Sequence, residues 1–260
     1  MNKSRNMVSS EPARFGARSL ALSLLLGSHP PRLTTSALVQ TGELFGITKG
    51  AMRTALSRMA QSGEVEATGR GYALAGRLIE RQRRQDSGRR SASEPWDGRW
   101  YTVAPEESSR SIADRRELRR VLEAAGFGEL RPDYWLRPAN IPFPDLGPAL
   151  IVVTGDLDVE DVNRLVAQLW PLDELNASAE GFLRDIDDLE RSRSRDEDGL
   201  PAWLVPAFTV SADIVRFLMK EPRLPSVLLP EPWAPELLRN VYDKFEATFQ
   251  HEMARFLAAG

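Results

Sequence analysis

The chain has 260 residues, 42% apolar and 27% charged, enough to bury cores in two or three domains and unlike a disordered, collagenous or fibrous sequence. It has no cysteine, which excludes disulfides, thiolate nucleophiles and cysteine-ligated zinc, and only two histidines, His29 and His251, which leaves little for a multi-histidine metal centre or a Ser-His triad. The formal charge is −3, yet residues 1–93 carry fifteen Lys/Arg against six Asp/Glu (+9) and the remainder nineteen against thirty-one (−12), so one end is expected to meet a polyanion, the alternative being a basic but idle domain.

Residues 1–14, polar and serine-rich, are expected to be a disordered tail. From Ala17 the pattern is helical through the leucines Leu20–Leu26 and ends at Gly27 and Pro30-Pro31. That leucine run is expected to make a poor secretory leader, because Ser23 breaks it, no A-x-A site follows and it is too short to span a bilayer. A cytoplasmic protein without a membrane partner is expected. Thr34–Gly42 and Thr48–Ser62 read as two further helices, the last stopped by Gly63. Glu64–Glu66 and Tyr72–Leu74 flank the turn Thr68-Gly69-Arg70-Gly71 as a hairpin. Three helices and a hairpin make the order of a winged helix-turn-helix, assigned to residues 15–92.

Arg77–Arg90 is arginine-rich, and Ser91–Pro95 reads as a linker with a domain boundary near residue 93. Beyond it, Arg99–Val103, Tyr134–Arg137 and Ala149–Thr154 read as strands, and Asp114–Ala125 and Val159–Trp170 as helices. This β-α-β-β-α order fits a ferredoxin-like domain over 93–172, without a clear final strand. Residues 173–260 read as a helical domain with Ser178–Glu190, Ser211–Lys220 and Pro235–Ala258 as helices, interrupted by a charged loop at Arg191–Gly199 and a proline-rich stretch at Pro222–Pro235. The fold class is therefore α+β and multidomain.

On the third helix, Ala51, Met52, Ala55, Leu56 and Met59 share one arc, leaving Gly50, Arg53, Thr54 and Ser57 opposite, with Lys49 and Arg58 at the flanks. An apolar back, small residues and one central arginine suit a helix entering the major groove, where an arginine donates two hydrogen bonds to a guanine edge. Lys49 and Arg58 suit phosphates, and no acid lies between Ile47 and Ser62. Arg70 at the hairpin tip and Tyr72 after it suit the neighbouring backbone or minor groove. The same pattern also describes an ordinary amphipathic surface helix or a winged module that binds protein.

The chain resembles the PaaX family of bacterial repressors, named for the regulator of phenylacetic acid catabolism. The resemblance runs from Ala17 to Leu257 and rests on Ala17-Arg18-Ser19-Leu20, on Met52–Met59 in the third helix and on Trp96-Asp97-Gly98-Arg99-Trp100. Leu118-Arg119, Gly126-Phe127-Gly128, Trp135–Pro138, Glu221-Pro222-Arg223-Leu224-Pro225 and Leu228–Trp233 follow in family order. It implies a homodimeric repressor rather than an enzyme, with a double-stranded DNA operator, a middle domain like the CRISPR-associated Cas2 proteins, a C-terminal domain used in dimerisation and release by phenylacetyl-coenzyme A. Where members carry a His-x-Tyr-Arg-like stretch this chain has Phe208–Asp213, so only an acyl-coenzyme A type of effector is carried over, and its binding residues stay unassigned. Ala139–Pro148, with three prolines, also departs from the family.

No catalytic or metal-binding residue is assigned. Asp97 is the one candidate for a Cas2-like metal-dependent nuclease, and Trp-Asp-Gly-x-Trp reads more simply as a turn. Asp185–Glu190 and Asp156/Asp158 read as solvated acids. Arg115, Arg116, Arg119 and Arg120 form a cluster that pairs with Glu117 and Glu123 or takes phosphates. Leu237, Leu238, Val241, Phe245, Phe249 and Phe256 make an apolar face that fits a dimer interface or packing within one subunit equally well. Trp203, Phe208 and Trp233 are candidates to line an effector pocket or a plain core.

Overall fold

The computed structural model describes residues 15–89, 95–106, 110–146, 150–193 and 200–259. The expected tail, most of the linker, Pro148 and most of the Arg191–Gly199 loop lie outside the described residues. The chain falls into two compact units. One holds the described residues up to Arg83, those ending at Val205 and those from Gln250; the other holds those from Arg84 to Arg193 and Pro206–Phe249.

The first unit opens with α1 (Ala17–Gly27), whose Leu20, Ala21, Leu22, Leu25 and Leu26 are buried. Carbonyl groups at its C-terminal end have no partner within a helix, and the amide of Gln82 donates to two of them, Leu26 O at 3.0 Å and Ser28 O at 2.9 Å. A short strand β1 (Arg32–Thr34) follows, then α2 (Thr35–Leu44) and α3 (Lys49–Gln61). Both helices start on a threonine whose hydroxyl accepts from the backbone, Thr34 from Ala37 N at 3.1 Å and Thr48 from Ala51 N at 3.2 Å. Gly63, at φ +72°, lies just past the end of α3.

Strands β2 (Val65–Thr68) and β3 (Gly71–Leu74) form the expected hairpin, joined by β1 into an antiparallel sheet of order β1-β3-β2. β1 was not expected, because three residues after two prolines are too few to show an alternating pattern. It comes so close to β3 that a Cβ on Gly71 would lie 2.0 Å from Leu33 O.

Arg18 and Glu64 join α1 to the loop before β2, with Arg18 Nε donating at 3.0 Å. The hydrogen bond from Arg18 holds the Glu64 carboxyl below its ordinary value of 4.5. A carboxyl lowered in the folded state contributes stability that is fully present above its unfolded value and lost as pH falls through the folded one. Arg18→Ala is therefore expected to flatten the acid side of a melting-temperature series below about pH 4.5, with a loss at neutral pH of under about 1 kcal/mol for so exposed a pair.

After α4 (Arg77–Gly88), the second unit contains β4 (Trp100–Pro105), α5 (Ile112–Ala124), β5 (Gly128–Arg131), β6 (Tyr134–Pro138), β7 (Leu150–Gly155) and α6 (Val162–Leu169). The sheet is antiparallel throughout, in the order β5-β6-β4-β7. The expected strand order is corrected here: four strands are present, the one read last is the fourth, and the one missed is β5. Gly-Glu-Leu-Arg carries no alternation to reveal it, and it turns into β6 through Pro132 and Asp133, the latter at φ +65°.

Alternation along β4 sends Trp100 to one face, with Leu136, Val166, Leu169 and Trp170, and Val103 to the other, with Leu122, Phe127 and Trp135. The connection from β6 to β7 has no helix in its described part. Arg137, 2% exposed, donates to Ala125 O and Ile141 O, both at 2.7 Å, with the Tyr101 and Phe127 rings 5.5 and 5.2 Å away. Burial pushes its guanidinium down to about 10.

Three long helices complete the described chain: α7 (Leu172–Arg193), α8 (Leu200–Leu218) and α9 (Ala234–Ala259), with a 3-10 turn at Ser226–Leu228. α8 begins eleven residues before its expected start at Ser211. Pro201 lies in its first turn, where a missing N–H costs nothing, and Pro206 lies inside the helix, so the prolines misled the reading. Glu221 and Arg239, 4% and 5% exposed, form a buried ion pair.

Candidate nucleic-acid interface

α3 is seated by Met52, Leu56 and Met59, at most 1% exposed, which come round every three or four residues and fix which side faces outward. Lys49, Gly50, Arg53, Thr54, Ser57 and Arg58 are all exposed on it. Ala51, expected in the apolar arc, is exposed as well, and Ala55 is half-buried. Ala51 therefore belongs to the outward surface, where its small side chain leaves room beside Arg53.

Arg53, Arg58 and Arg70 take part in no ion pair among the described residues, so their guanidinium groups are free to meet an incoming ligand. Lys49 differs: its Nζ lies 3.4 Å from Glu43 on α2. Spacing within α3 gave no sign of this, because Glu43 arrives across the turn between the helices. Both side chains are about half exposed or more, so the pair is weak and a phosphate can displace it.

Arg70 is exposed at the tip of the β2–β3 hairpin, and its carbonyl accepts from Thr35 N at 3.0 Å, which ties the tip to the start of α2. Tyr72 is half-buried in β3, opposite Leu33 and Ala67, and presents only part of its ring. Sequence reading missed Arg32, an exposed cation on β1 in register with Ala73. The signal for it was the strand itself, which was not recognised.

The other constellations resolve locally. Asp97 is exposed and accepts from Arg99 twice, from its backbone N at 3.1 Å and its Nε at 2.6 Å, while Gly98 turns the chain at φ +91°. The backbone hydrogen bond, then the Arg99 side chain, hold this carboxyl below its ordinary value. Among the described residues no three His, Asp or Glu side chains come together as metal ligands. Arg120 pairs with Glu117 at 2.5 Å and Arg119 with Glu129 at 2.5 Å rather than with Glu123. Of the acidic run, Asp187 and Asp188 pair with Arg191 and Glu190 with Arg193.

The apolar face of α9 is occupied within the subunit. Leu238, Phe245 and Phe249 are at most 4% exposed, and the Phe249 ring lies 6.1 Å from that of Phe208. Leu237 alone of the six is strongly exposed, at 54%. Trp203 and Phe208 are buried core, whereas Trp233 lines a cavity. No described helix is long and apolar enough to cross a membrane.

A cationic helix on a small helix-and-strand unit, a four-stranded sheet and a helical end define a modular α+β protein, and three family models match it in that order. They are described as PaaX-like protein (residues 16–78), PaaX protein central Cas2-like domain (93–143) and PaaX-like protein C-terminal domain (170–259). The chain belongs to the PaaX family. It is 27% identical over 228 residues to the transcriptional repressor PaaX of Escherichia coli (strain K12), covering 78% of this chain and 71% of that one. Among solved structures it is similar to the uncharacterized protein Rv0674 from Mycobacterium tuberculosis, with 32% identity, a TM-score of 0.72 and coverage of 93% of this chain and 98% of that one.

Proposed function

We propose that the chain is a sequence-specific DNA-binding transcriptional repressor, not an enzyme. The observation that carries this reading is the outward face of α3: Gly50, Arg53, Thr54 and Ser57 are exposed together between Lys49 and Arg58, on a helix whose opposite side is buried. Residues 15–92 form a winged helix-turn-helix with α3 as its recognition helix and the β2–β3 hairpin as its wing. Residues 93–172 form a ferredoxin-like, Cas2-like domain, in which the described part of the connection between the third and fourth strands holds no helix, and 173–260 a helical domain. The protein works in the cytoplasm as a homodimer, since two recognition helices spaced by a turn of DNA read a palindrome that one cannot. An effector of the acyl-coenzyme A type releases the operator by binding the weakly DNA-bound state more tightly.

Arg53 reads a base, Gly50, Thr54 and Ser57 lie beside base edges, and Lys49, Arg58, Arg70 and Tyr72 hold the backbone. Arg53→Ala is expected to weaken operator binding by about 1–3 kcal/mol and to leave random DNA unchanged. Lys49→Ala is expected to weaken all sequences alike and to reduce the salt slope by about one. Anisotropy titrations at two salt concentrations measure both. Equal losses on operator and random DNA for Arg53→Ala would remove it as a base reader.

A further inference from the structure

The arginine-rich run that opens at Arg77 becomes α4, and the DNA reading above uses none of it. An amphipathic helix ordinarily buries an apolar stripe. The long side chains that α4 buries, among the described residues, are instead those of Gln82 and Gln85, 6% and 8% exposed, with Leu78 and Ile79 only half-buried. Gln82 donates to Leu26 O and Ser28 O, which ties the first turns of α4 to the end of α1. Arg77 and Arg81, four residues apart and so on one side of the helix, are both exposed.

Arg32 joins them through the backbone. Leu74 N donates to Pro31 O at 3.0 Å, and Arg32 is in register with Ala73. The segment Ser28–Arg32 is therefore held at one end by Gln82, in the second turn of α4, and at the other by the end of β3, just before α4 begins. Arg32, Arg77 and Arg81 take part in no ion pair among the described residues. Of the acids in this part of the first unit, Glu64 pairs with Arg18 and Glu80 with Arg83. Glu66, also in register with Ala73, stands on β2, two strands away from Arg32.

Three unpaired like charges repel one another, and a polyanion relieves that repulsion. They lie at the opposite end of β3 from Arg70 at the hairpin tip, roughly 10 Å along the strand at about 3.4 Å per residue. DNA carries a charge for about every 1.7 Å of its axis, so a surface this far from the tip meets phosphates that the tip does not. The charges come from a strand and the side of a helix rather than from one helical face that fits a groove, which suits backbone contact and not base reading. We propose that Arg32, Arg77 and Arg81 form a second DNA-contacting surface, which holds phosphates beyond those met by α3 and the hairpin tip. It rests on the reading of this part of the chain as a DNA-binding module, and the experiment separates the two.

The test is an anisotropy titration of the full chain over a salt series, on a random duplex of about thirty base pairs and on DNA from upstream of its own coding sequence. With Arg32, Arg77 and Arg81 all changed to Gln, random DNA is expected to bind at least roughly tenfold more weakly near 0.1 M salt, and the salt slope to fall by about two to three, one per phosphate contact. Arg81→Gln alone lowers the slope by about one, whereas Arg83→Gln, which removes the same charge from another side of α4, lowers it by less than about 0.5. Lysine at the three positions keeps the charge and the parent's slope. All these side chains are exposed, so every variant is expected to melt within a few degrees of the parent. An unchanged slope in a folded triple-glutamine protein, a loss as large from Arg83→Gln as from Arg81→Gln, a lysine variant as weak as the glutamine one, or a loss confined to the upstream DNA would each overturn the proposal. A parent without sequence preference whose slope still falls in the triple variant leaves this surface standing and the sequence-specific reading refuted. Sequence preference with an unchanged slope does the reverse, and a parent that binds no DNA refutes both.

Discussion

Glu221→Gln is expected to destabilise the protein by about 3–5 kcal/mol, among the largest effects available to a single side chain of this fold. Glu221 and Arg239 are 4% and 5% exposed, so neither charge recovers hydration when the other is removed. Among the described residues Arg239 keeps only a long 3.4 Å hydrogen bond from Nη1 to Pro235 O and would stand there as a buried charge without its carboxylate partner. The pair's mutual attraction is not the source of this figure; the uncompensated charge is. Replacing both partners by methionine, which fills similar volume without charge, is accordingly expected to return most of the loss. Thermal melting checks this, with a fall on the order of 10 °C for the single variant. A single variant within about 1 kcal/mol of the parent would contradict the account of the pair as fully desolvated.

Gly71→Ala is expected to cost about 3 kcal/mol or more and to loosen the wing. The added Cβ would lie 2.0 Å from Leu33 O, 2.6 Å from Thr34 Cα and 2.8 Å from Leu33 C. All three are backbone atoms, so no rotamer change relieves the clash and β1 must leave β3. Thr34 also caps α2, which couples the displaced strand to the next helix. Gly69→Ala, two residues away on the same turn with nothing within 4 Å of its Cβ position, is the matched control and is expected to change stability by no more than about 0.5 kcal/mol. Hydrogen exchange at Leu33 and Tyr72, which face each other in the β1–β3 register, reports the loosening directly. Equal effects of the two substitutions would show that the β1–β3 approach is not tight.

The legible parts of the fold were those carried by local signals. Thr48, the apolar positions Met52, Leu56 and Met59, and Gly63 define α3 from start to stop, and the element lies within one residue of its expected bounds. β1 and β5 were hidden because three or four residues with a polar or glycine majority show no period, and their strand character comes from the neighbours they pair with. α8 was truncated because Pro206 is a breaker locally, and the long helix around it overrides that preference.

At the candidate interface, the outward order of Arg53, Thr54, Ser57 and Arg58 follows from the helical period alone. The approach of Glu43 to Lys49 depends on the angle between α2 and α3, which no spacing within one helix reveals. The patch of Arg32, Arg77 and Arg81 was equally illegible. Arg77 and Arg81 belong to a run singled out as arginine-rich, but more than forty residues separate them from Arg32, and only the pairing of β1 with β3 brings it near.

The most direct test of the central claim is a fluorescence-anisotropy titration of the parent protein and Arg53→Ala against DNA from the region upstream of its own coding sequence, with scrambled DNA as control, at two salt concentrations. The account predicts tight, salt-dependent binding of a sequence-defined site, lost by about 1–3 kcal/mol in Arg53→Ala, with the scrambled DNA bound equally by both proteins. If the parent shows no sequence preference there or on any fragment recovered from a genome-wide selection, or if Arg53→Ala binds its site as tightly as the parent, α3 is not the reader of DNA and the account fails.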